Sequence, residues 1–338
     1  MAPLRLLIRA DASAAMGFGH IARCLAIAEA VRARGGEVTF ATRDGASSVR
    51  APGWETGWDV SRLPGEPDAP VDTAEASELA LLSRCRKADC VLVDHFGADD
   101  AYLQRLSCEG VKRLALIEDG MGRRGAGVDV LLNFNLGAGA KGYLARRLLL
   151  GPGFLPLREA IALRREESLA RDRSLLRRVL VVFGGSDAFG LTARAARELD
   201  SLLPPETIVR VVVGPAASVR PQLFDLSARV ESIGPLSAEA LAQEMFLADA
   251  AVATPSMVFW ELSALGVPCA LYRVAANQAS ARGIALRKAA LVLEPDASLS
   301  GAMATLSDSS RRRLLASVAS QLLDGAGAGR VAQALSED

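Results

Sequence analysis

Short apolar runs recur along the chain, and helical patterns separate several of them. In the first half the runs fall at 4–9, 37–42, 89–94, 112–118 and 129–134, with helical spacing at 21–34 and 99–107. Strands joined by crossover helices pair in parallel, so this alternation dictates a parallel sheet. The segment 151–177 opens with Gly-Pro-Gly and turns into a highly charged helical stretch, which marks a domain junction. Beyond it the pattern restarts, with runs near 178–184, 208–214, 229–233, 249–253, 268–273 and 290–294 and helices near 190–200, 238–247, 256–265 and 279–289. Two similar α/β halves result, a first domain over 1–150 and a second over 151–338. A final helical pattern at 309–335 can pack across the junction, and 51–75 reads as a long irregular connection.

Length and composition agree with two ordinary cores: 338 residues, half of them hydrophobic. Lysine plus arginine and aspartate plus glutamate balance at 39 each, so no global basic field points to nucleic acid or to an anionic membrane surface. A small ligand is the expected partner. The early apolar run carries Arg5, Arg9 and Asp11, which breaks a signal-peptide core, and no later run reaches membrane-spanning length. A cytoplasmic chain is expected, with no cofactor or metal and with a monomer as the simplest state. Five cysteines, at 24, 85, 90, 108 and 269, lack paired zinc-site spacing and suit reduced, mostly buried thiols.

In open α/β sheets ligands bind beyond the carboxyl ends of the strands, so residues just after the runs are the informative ones. After the first run comes RADASAAMGFGH, 9–20, ending on one of only two histidines. It joins strand to helix, and His20 stands where unpaired N–H groups and the positive end of the helix dipole collect. A tight turn with a capping histidine accounts for the same residues, because Gly17 and Gly19 give only Gly-x-Gly. After other runs come Asp94-His95-Phe96, Glu118-Asp119, and Gly184-Gly185-Ser186-Asp187, whose glycines let backbone N–H groups approach phosphate oxygens or simply form a capped turn. In ATPSMVFWELSALGVP, 253–268, Thr254 suits an N-cap, Pro255 the first helical position, and the N–H groups of Ser256 and Met257 are left to meet an anion. Glu261 one to two turns on is either a carboxylate for vicinal sugar hydroxyls or an ordinary helix-surface residue. Asn277-Gln278 offer the neutral amides that sugars need.

Taken in order, RADAS, GFGHIARCLAIAEAV, VDHF, IEDG, LLNFN, LLGPGFLPLR, FGGSD, PSMVFWELSALGVP and NQ resemble the UDP-sugar hydrolases of pseudaminic acid biosynthesis, over most of the chain. That resemblance implies a GT-B fold, two Rossmann-like domains facing a cleft, shared with the peptidoglycan N-acetylglucosaminyltransferase. It implies a catalytic first domain and a UDP-binding second domain. The family releases UDP from UDP-2,4-diacetamido-2,4,6-trideoxy-β-L-altropyranose by water attack at the anomeric carbon, without a metal, in making a nonulosonic acid for bacterial surface glycans such as those of flagellin. His20 matches the residue that activates the water, and Asn277 and Gln278 match a pair facing the sugar, Asn277 with a catalytic part. Ser256 and Glu261 match the segment holding diphosphate and ribose. Asp11, Gly17, Gly19, Asp94, Ser186 and Thr254 complete the expected substrate-binding set.

Two positions depart from the family's pattern. Phe96 stands where a tyrosine is common, removing a phenolic hydroxyl, and Pro255 stands where glycine is common, deleting one backbone donor. The rival readings are a GT-B glycosyltransferase using the same donor site, a catalytically silent nucleotide-sugar-binding paralogue, and a hydrolysing 2-epimerase.

Overall fold

The computed structural model describes residues 3–13, 17–43, 57–66, 69–185, 187, 189–215, 226–274 and 280–337. The expected site residues Ser186, Asn277 and Gln278 lie outside the described residues. The chain divides into two compact units, Met1–Glu159 with Ala326–Asp338, and Ala160–Gly325.

The first unit is built on strands β1 (Arg5–Ala10), β2 (Glu37–Arg43), β3 (Asp59–Leu63), β4 (Cys90–Asp94), β5 (Leu114–Ile117), β6 (Val130–Asn133) and β7 (Arg147–Leu150). They form one sheet in the order β3-β2-β1-β4-β5-β6-β7, and every pair is parallel. Helices α1 (Gly19–Ala33), α2 (Thr73–Cys85) and α3 (Asp100–Cys108) accompany it. β1, β4, β5 and β6 are buried almost throughout, because a central parallel strand is covered on both faces and needs a near-continuous apolar run. Asp72 and Asp99 start α2 and α3 by accepting first-turn backbone N–H bonds, from Ala74 and Glu75 and from Tyr102. α1 starts at Phe18 with no side-chain cap bond.

The second unit holds β8 (Arg178–Val182), β9 (Ile208–Val212), β10 (Val230–Ile233), β11 (Ala250–Ala253), β12 (Cys269–Tyr272) and β13 (Leu291–Leu293). Their order, β10-β9-β8-β11-β12-β13, is again parallel throughout. The helices between Glu159 and Ser320 are α4 (Glu159–Ala162), α5 (Arg165–Ala170), α6 (Leu191–Leu202), α7 (Ala238–Leu247), α8 (Met257–Ala264), α9 (Ser280–Leu286), α10 (Ser300–Ser307) and α11 (Ser309–Ser320). All eight residues of α8 are buried, which is why that stretch reads as apolar on every side. Within this unit Arg312 donates to the carbonyls of Arg173, Ser174, Leu306 and Ser307, fixing the charged linker against α11.

Three features differ from the sequence expectations. The irregular connection over 51–75 contains β3, an edge strand whose Asp59 and Val60 are exposed and so show no apolar period. β7, another edge strand, also went unexpected. Helix α12 (Gly327–Ser336), which the expected boundary assigns to the second domain, belongs to the first unit: Arg113 donates to the Leu335 carbonyl (2.8 Å) and Arg330 to that of Gly153 (2.7 Å), while Arg147 pairs with Glu337 (2.8 Å). A helical period shows which face is apolar and is silent about which sheet will cover it.

Among the described residues no helix is long and apolar enough to cross a membrane. All five cysteines are free thiols, with 24, 90 and 269 buried and 85 and 108 exposed.

Candidate active site

In each sheet the strand order reverses at one place, between β1 and β4 in the first unit and between β8 and β11 in the second. Such switch points open a crevice at the carboxyl ends of their strands.

At the first switch point His20, the second residue of α1, meets Asp94, the last residue of β4. His20 Nδ1 lies 2.7 Å from Asp94 Oδ1, with both side chains buried. Arg23, one turn further along α1, grips the same carboxylate with two bonds of 2.6 Å, from Nε to Oδ2 and from Nη2 to Oδ1. Its remaining nitrogen, Nη1, donates to Asp119 Oδ2 (2.6 Å), and Asp119 also accepts from the Asn135 amide (2.9 Å). The Cys24 thiol donates to Asp94 at 3.4 Å. Burial by itself raises a carboxyl; the Arg23 charge, and then His20, outweigh it and hold Asp94 well below the usual carboxylate range. An ionised carboxylate only accepts, so Nδ1 of His20 carries the hydrogen and Nε2 is left as the ring's proton-accepting nitrogen. The Phe96 ring stands edge-on to the imidazole, centroids 4.2 Å apart at 85°. Arg23, Asp94 and Asp119 together place one net negative charge beside the imidazole.

The other histidine sits in a different buried network. Gly97 N–H donates to His95 Nδ1 (3.0 Å), and the His95 carbonyl accepts from Arg123 (2.9 Å), so this residue braces the loop after β4. Its Nε2 faces Asp11 Oδ2 at 3.6 Å. Burial and then the nearby Arg9 charge push its imidazole down to about 4.

Asp11, expected to bind substrate, is 1% exposed and engaged inside the unit. Its Oδ1 accepts the Arg43 backbone N–H (2.8 Å), and its Oδ2 pairs with Arg9 (2.8 Å). Glu75 is shared by Arg9, Arg43 and the Tyr102 hydroxyl, so the network ties β1, β2, α2 and α3 together. Gly17 has φ +77, and its N–H closes a bridge to the Ser13 carbonyl (2.8 Å); a residue with a Cβ is strained there. Gly19 is exposed at the first position of α1.

At the second switch point the material is backbone and hydroxyl. Gly184, φ +83, follows β8, and Gly214 after β9 packs so tightly on Gly184 and Gly185 that a Cβ would collide with their carbonyls. Asp187 accepts from the N–H groups of Leu191 (2.9 Å) and Thr192 (3.1 Å), so the capping reading of this turn is the one realised for Asp187. After β11 the helix α8 begins two residues later than expected: Ser256, not Thr254, is the N-cap. Ser256 N–H is not left for a ligand, because it donates to the Thr254 carbonyl (2.8 Å) in a three-residue turn about Pro255. The Thr254 and Ser256 hydroxyls meet at 3.1 Å. Ser256 gives α8 no side-chain cap bond, and of the first-turn N–H groups that of Phe259 donates to the Ser256 carbonyl (3.0 Å). Glu261 lies within α8 and is 2% exposed, so it is not a helix-surface residue.

The structure thus joins His20 with Asp94 and groups Thr254, Ser256 and Glu261 on and before one helix. It also adds Arg23 and Asn135, which the expected site set lacked, and gives Asp119, picked out only by its place after a strand run, a partner in Arg23. Arg23 follows His20 by three positions, the spacing that puts two helical side chains on one face, and that was its one legible signal.

These two units have the two-domain Rossmann-like GT-B fold, seen throughout three solved structures. MurG of Acinetobacter baumannii matches with a TM-score of 0.66 and 14% identity over 99% of both chains. The UDP-GlcNAc 2-epimerase of Neisseria meningitidis bound to UDP-GlcNAc matches with 0.64 and 11% identity over 99% of this chain and 100% of that one. The glycotransferase of kitacinnamycin matches with 0.67 and 17% identity over 98% of both. In sequence the chain is similar to the spore coat polysaccharide biosynthesis protein SpsG of Bacillus subtilis, 27% identical over 346 residues, 98% of this chain and 97% of that protein. It is also 24% identical over 277 residues to the uncharacterized protein MJ1062 of Methanocaldococcus jannaschii, covering 78% of this chain and 54% of that relative, so it spans about half that protein's length. No family model matches.

Proposed function

We propose that the protein is an enzyme acting on a nucleotide sugar, and specifically a metal-independent hydrolase that releases UDP from a UDP-linked 2,4-diacetamido-2,4,6-trideoxyhexose. The observation that carries the reading is the His20–Asp94 pair, which fixes the imidazole tautomer and presents Nε2 as a base at a sheet switch point. The similarity to a polysaccharide biosynthesis protein and the GT-B likeness to a structure bound to UDP-GlcNAc support the substrate class.

In this mechanism a water oxygen attacks the anomeric carbon while its proton passes to His20 Nε2, and the bond from that carbon to the diphosphate oxygen breaks with its electron pair leaving on UDP. Asp94 stabilises the imidazolium that forms, and the first-turn N–H groups of α8 receive the departing diphosphate's charge. Glu261 accepts from the ribose hydroxyls, and Asn277 and Gln278 hold the sugar. The product is the inverted anomer, on the way to a pseudaminic-type acid, and the enzyme works in the cytoplasm. Reaction in ¹⁸O water checks the bond that breaks: the label is expected on the sugar C1 hydroxyl, with unlabelled UDP and undiminished release in the presence of chelator. Label in UDP would refute anomeric attack.

A glycosyltransferase is the second reading, favoured by the fold likeness to the kitacinnamycin enzyme. It predicts that UDP release waits for an acceptor hydroxyl and is negligible in water alone.

A further inference from the structure

Arg23 is a buried cation with every guanidinium nitrogen committed. Nε and Nη2 hold the two oxygens of Asp94, Nη1 holds Asp119, and Nη2 also comes within 3.0 Å of His20 Nδ1. The contact to His20 is not a hydrogen bond when Nδ1 carries its own hydrogen, since both groups then donate. It is a positive charge set against the ring. The guanidinium plane is further confined by the Phe134 ring, 5.4 Å from its carbon.

Two consequences follow from the geometry. An aspartate beside a histidine, left to itself, stabilises the imidazolium and makes the ring harder to discharge. Here the same carboxylate is forked onto a guanidinium, so its charge is shared, while the guanidinium itself opposes a second positive charge 3.0 Å away. The fork also fixes the carboxylate plane, because two parallel bonds to Arg23 leave Oδ1 in one position relative to α1. We propose that Arg23 is a positioning residue, which orients Asp94 toward His20 and, balanced by Asp119, keeps His20 a neutral base that gives up its proton readily.

Among the described residues, the groups that bear on the imidazole are few. They are Asp94 from β4, Arg23 from α1, Asp119 after β5 acting through Arg23, and His95 after β4. The Cys24 thiol, which burial pushes well up, stays neutral, as does Asn135. Removing Arg23 therefore makes the surroundings of His20 more negative, and removing the Asp119 charge makes them more positive. The two changes must move His20 in opposite directions, whereas a purely structural role for Arg23 has no such sign rule.

As a role in catalysis this rests on the hydrolase reading; as a control on His20 it is tested without substrate. The chain has only two histidines, so ¹⁵N-histidine NMR follows both rings, with His95 as the internal reference. Arg23→Gln is expected to raise the His20 titration midpoint by roughly 1–3 units, the range for a charge within contact distance. Asp119→Asn is expected to lower it by less, and Arg23→Lys to keep it near the parent value while losing the fork. The acid limb of kcat/KM should move with the NMR midpoint, at unchanged UDP affinity. Asp119 is partly exposed (21%) and its variant keeps the sign test available if Arg23→Gln does not fold. Midpoints that stay put, or that move the same way in Arg23→Gln and Asp119→Asn, overturn the proposal. UDP release at the parent rate in His20→Asn removes His20 as the base, and no UDP release by the parent protein in water overturns the hydrolase reading; either outcome leaves the titration result standing.

Discussion

The two switch points share a strand topology and are built from opposite materials. Between β1 and β4 the sheet ends in titratable and charged side chains: His20, Arg23, Asp94 and Asp119, with Arg9, Asp11, Glu75 and His95 in the adjoining network. Between β8 and β11 it ends in glycines, two hydroxyls and the start of a helix buried on all sides. Charged side chains can take and return protons, and they cost desolvation that must be offset by pairing. Backbone N–H groups cannot titrate, and they stabilise an anion without moving. The same topology therefore yields one end that can titrate and one that cannot, which is the division of labour the proposed reaction requires.

Exchanging the chemistry at each end should break that division most visibly. His20→Asn is expected to cost on the order of 10²–10⁴ in turnover with UDP affinity retained. Glu261→Gln should do the reverse, weakening UDP by about tenfold or more in calorimetry with kcat of the saturated enzyme little changed, because a ribose contact is alike in ground and transition states. If Glu261→Gln leaves UDP affinity intact, the nucleotide does not sit at the second switch point.

A smaller effect separates the ends by pH. His95 sits near 4 in the folded chain against 6.5 as its ordinary value. Between those values the unfolded chain holds a proton that the folded chain does not. Stability is therefore complete above pH 6.5 and declines as pH falls toward 4, by at most about 3 kcal/mol. Asp94, held low by Arg23, adds its own loss only below the carboxylate range. Hydrogen exchange should show β1 and β4 losing protection from pH 6.5 to 4.5 while β8 and β11 do not. His95→Asn, which keeps an acceptor for Gly97, should flatten that loss, and an equal decline in both units would show that the charged network is not its source.

The smallest expected effect is at Phe96. Phe96→Tyr places a hydroxyl beside the His20 ring and should change kcat/KM by at most about tenfold, upward if a diacetamido sugar is the substrate. A collapse of sugar binding at intact UDP affinity would mean the pocket is shaped for a more apolar sugar.

Much of this was legible in the residues. Central strands such as Leu6–Ala10 and Ala250–Ala253 are buried on both faces and announce themselves as apolar runs. β3 and β7 stayed hidden because edge strands are incompletely buried and carry Asp59, Arg62 and Arg147. His20 stood out by rarity and by its place after a strand. Arg23 did not, since an arginine on a helix is ordinarily solvated and only the fold brings Asp94 and Asp119 to it. The late start of α8 was likewise unreadable: Thr254, Pro255 and Ser256 are all acceptable at a helix start, and the turn to the Thr254 carbonyl chose among them.

Helix α12 gives the first unit a peculiarity in time. Its residues are made after the second unit, yet they close over α1 and the Pro152–Phe154 turn, which are made before it, and Gly327 fits so closely on the Leu155 carbonyl that a side chain there would collide. During synthesis the half that carries His20 must wait, its α1 flank uncovered, while the whole second unit emerges from the ribosome. The second unit, Ala160–Gly325, has no such debt to a later segment. The two ends of the proposed reaction thus mature in the reverse of their order along the chain.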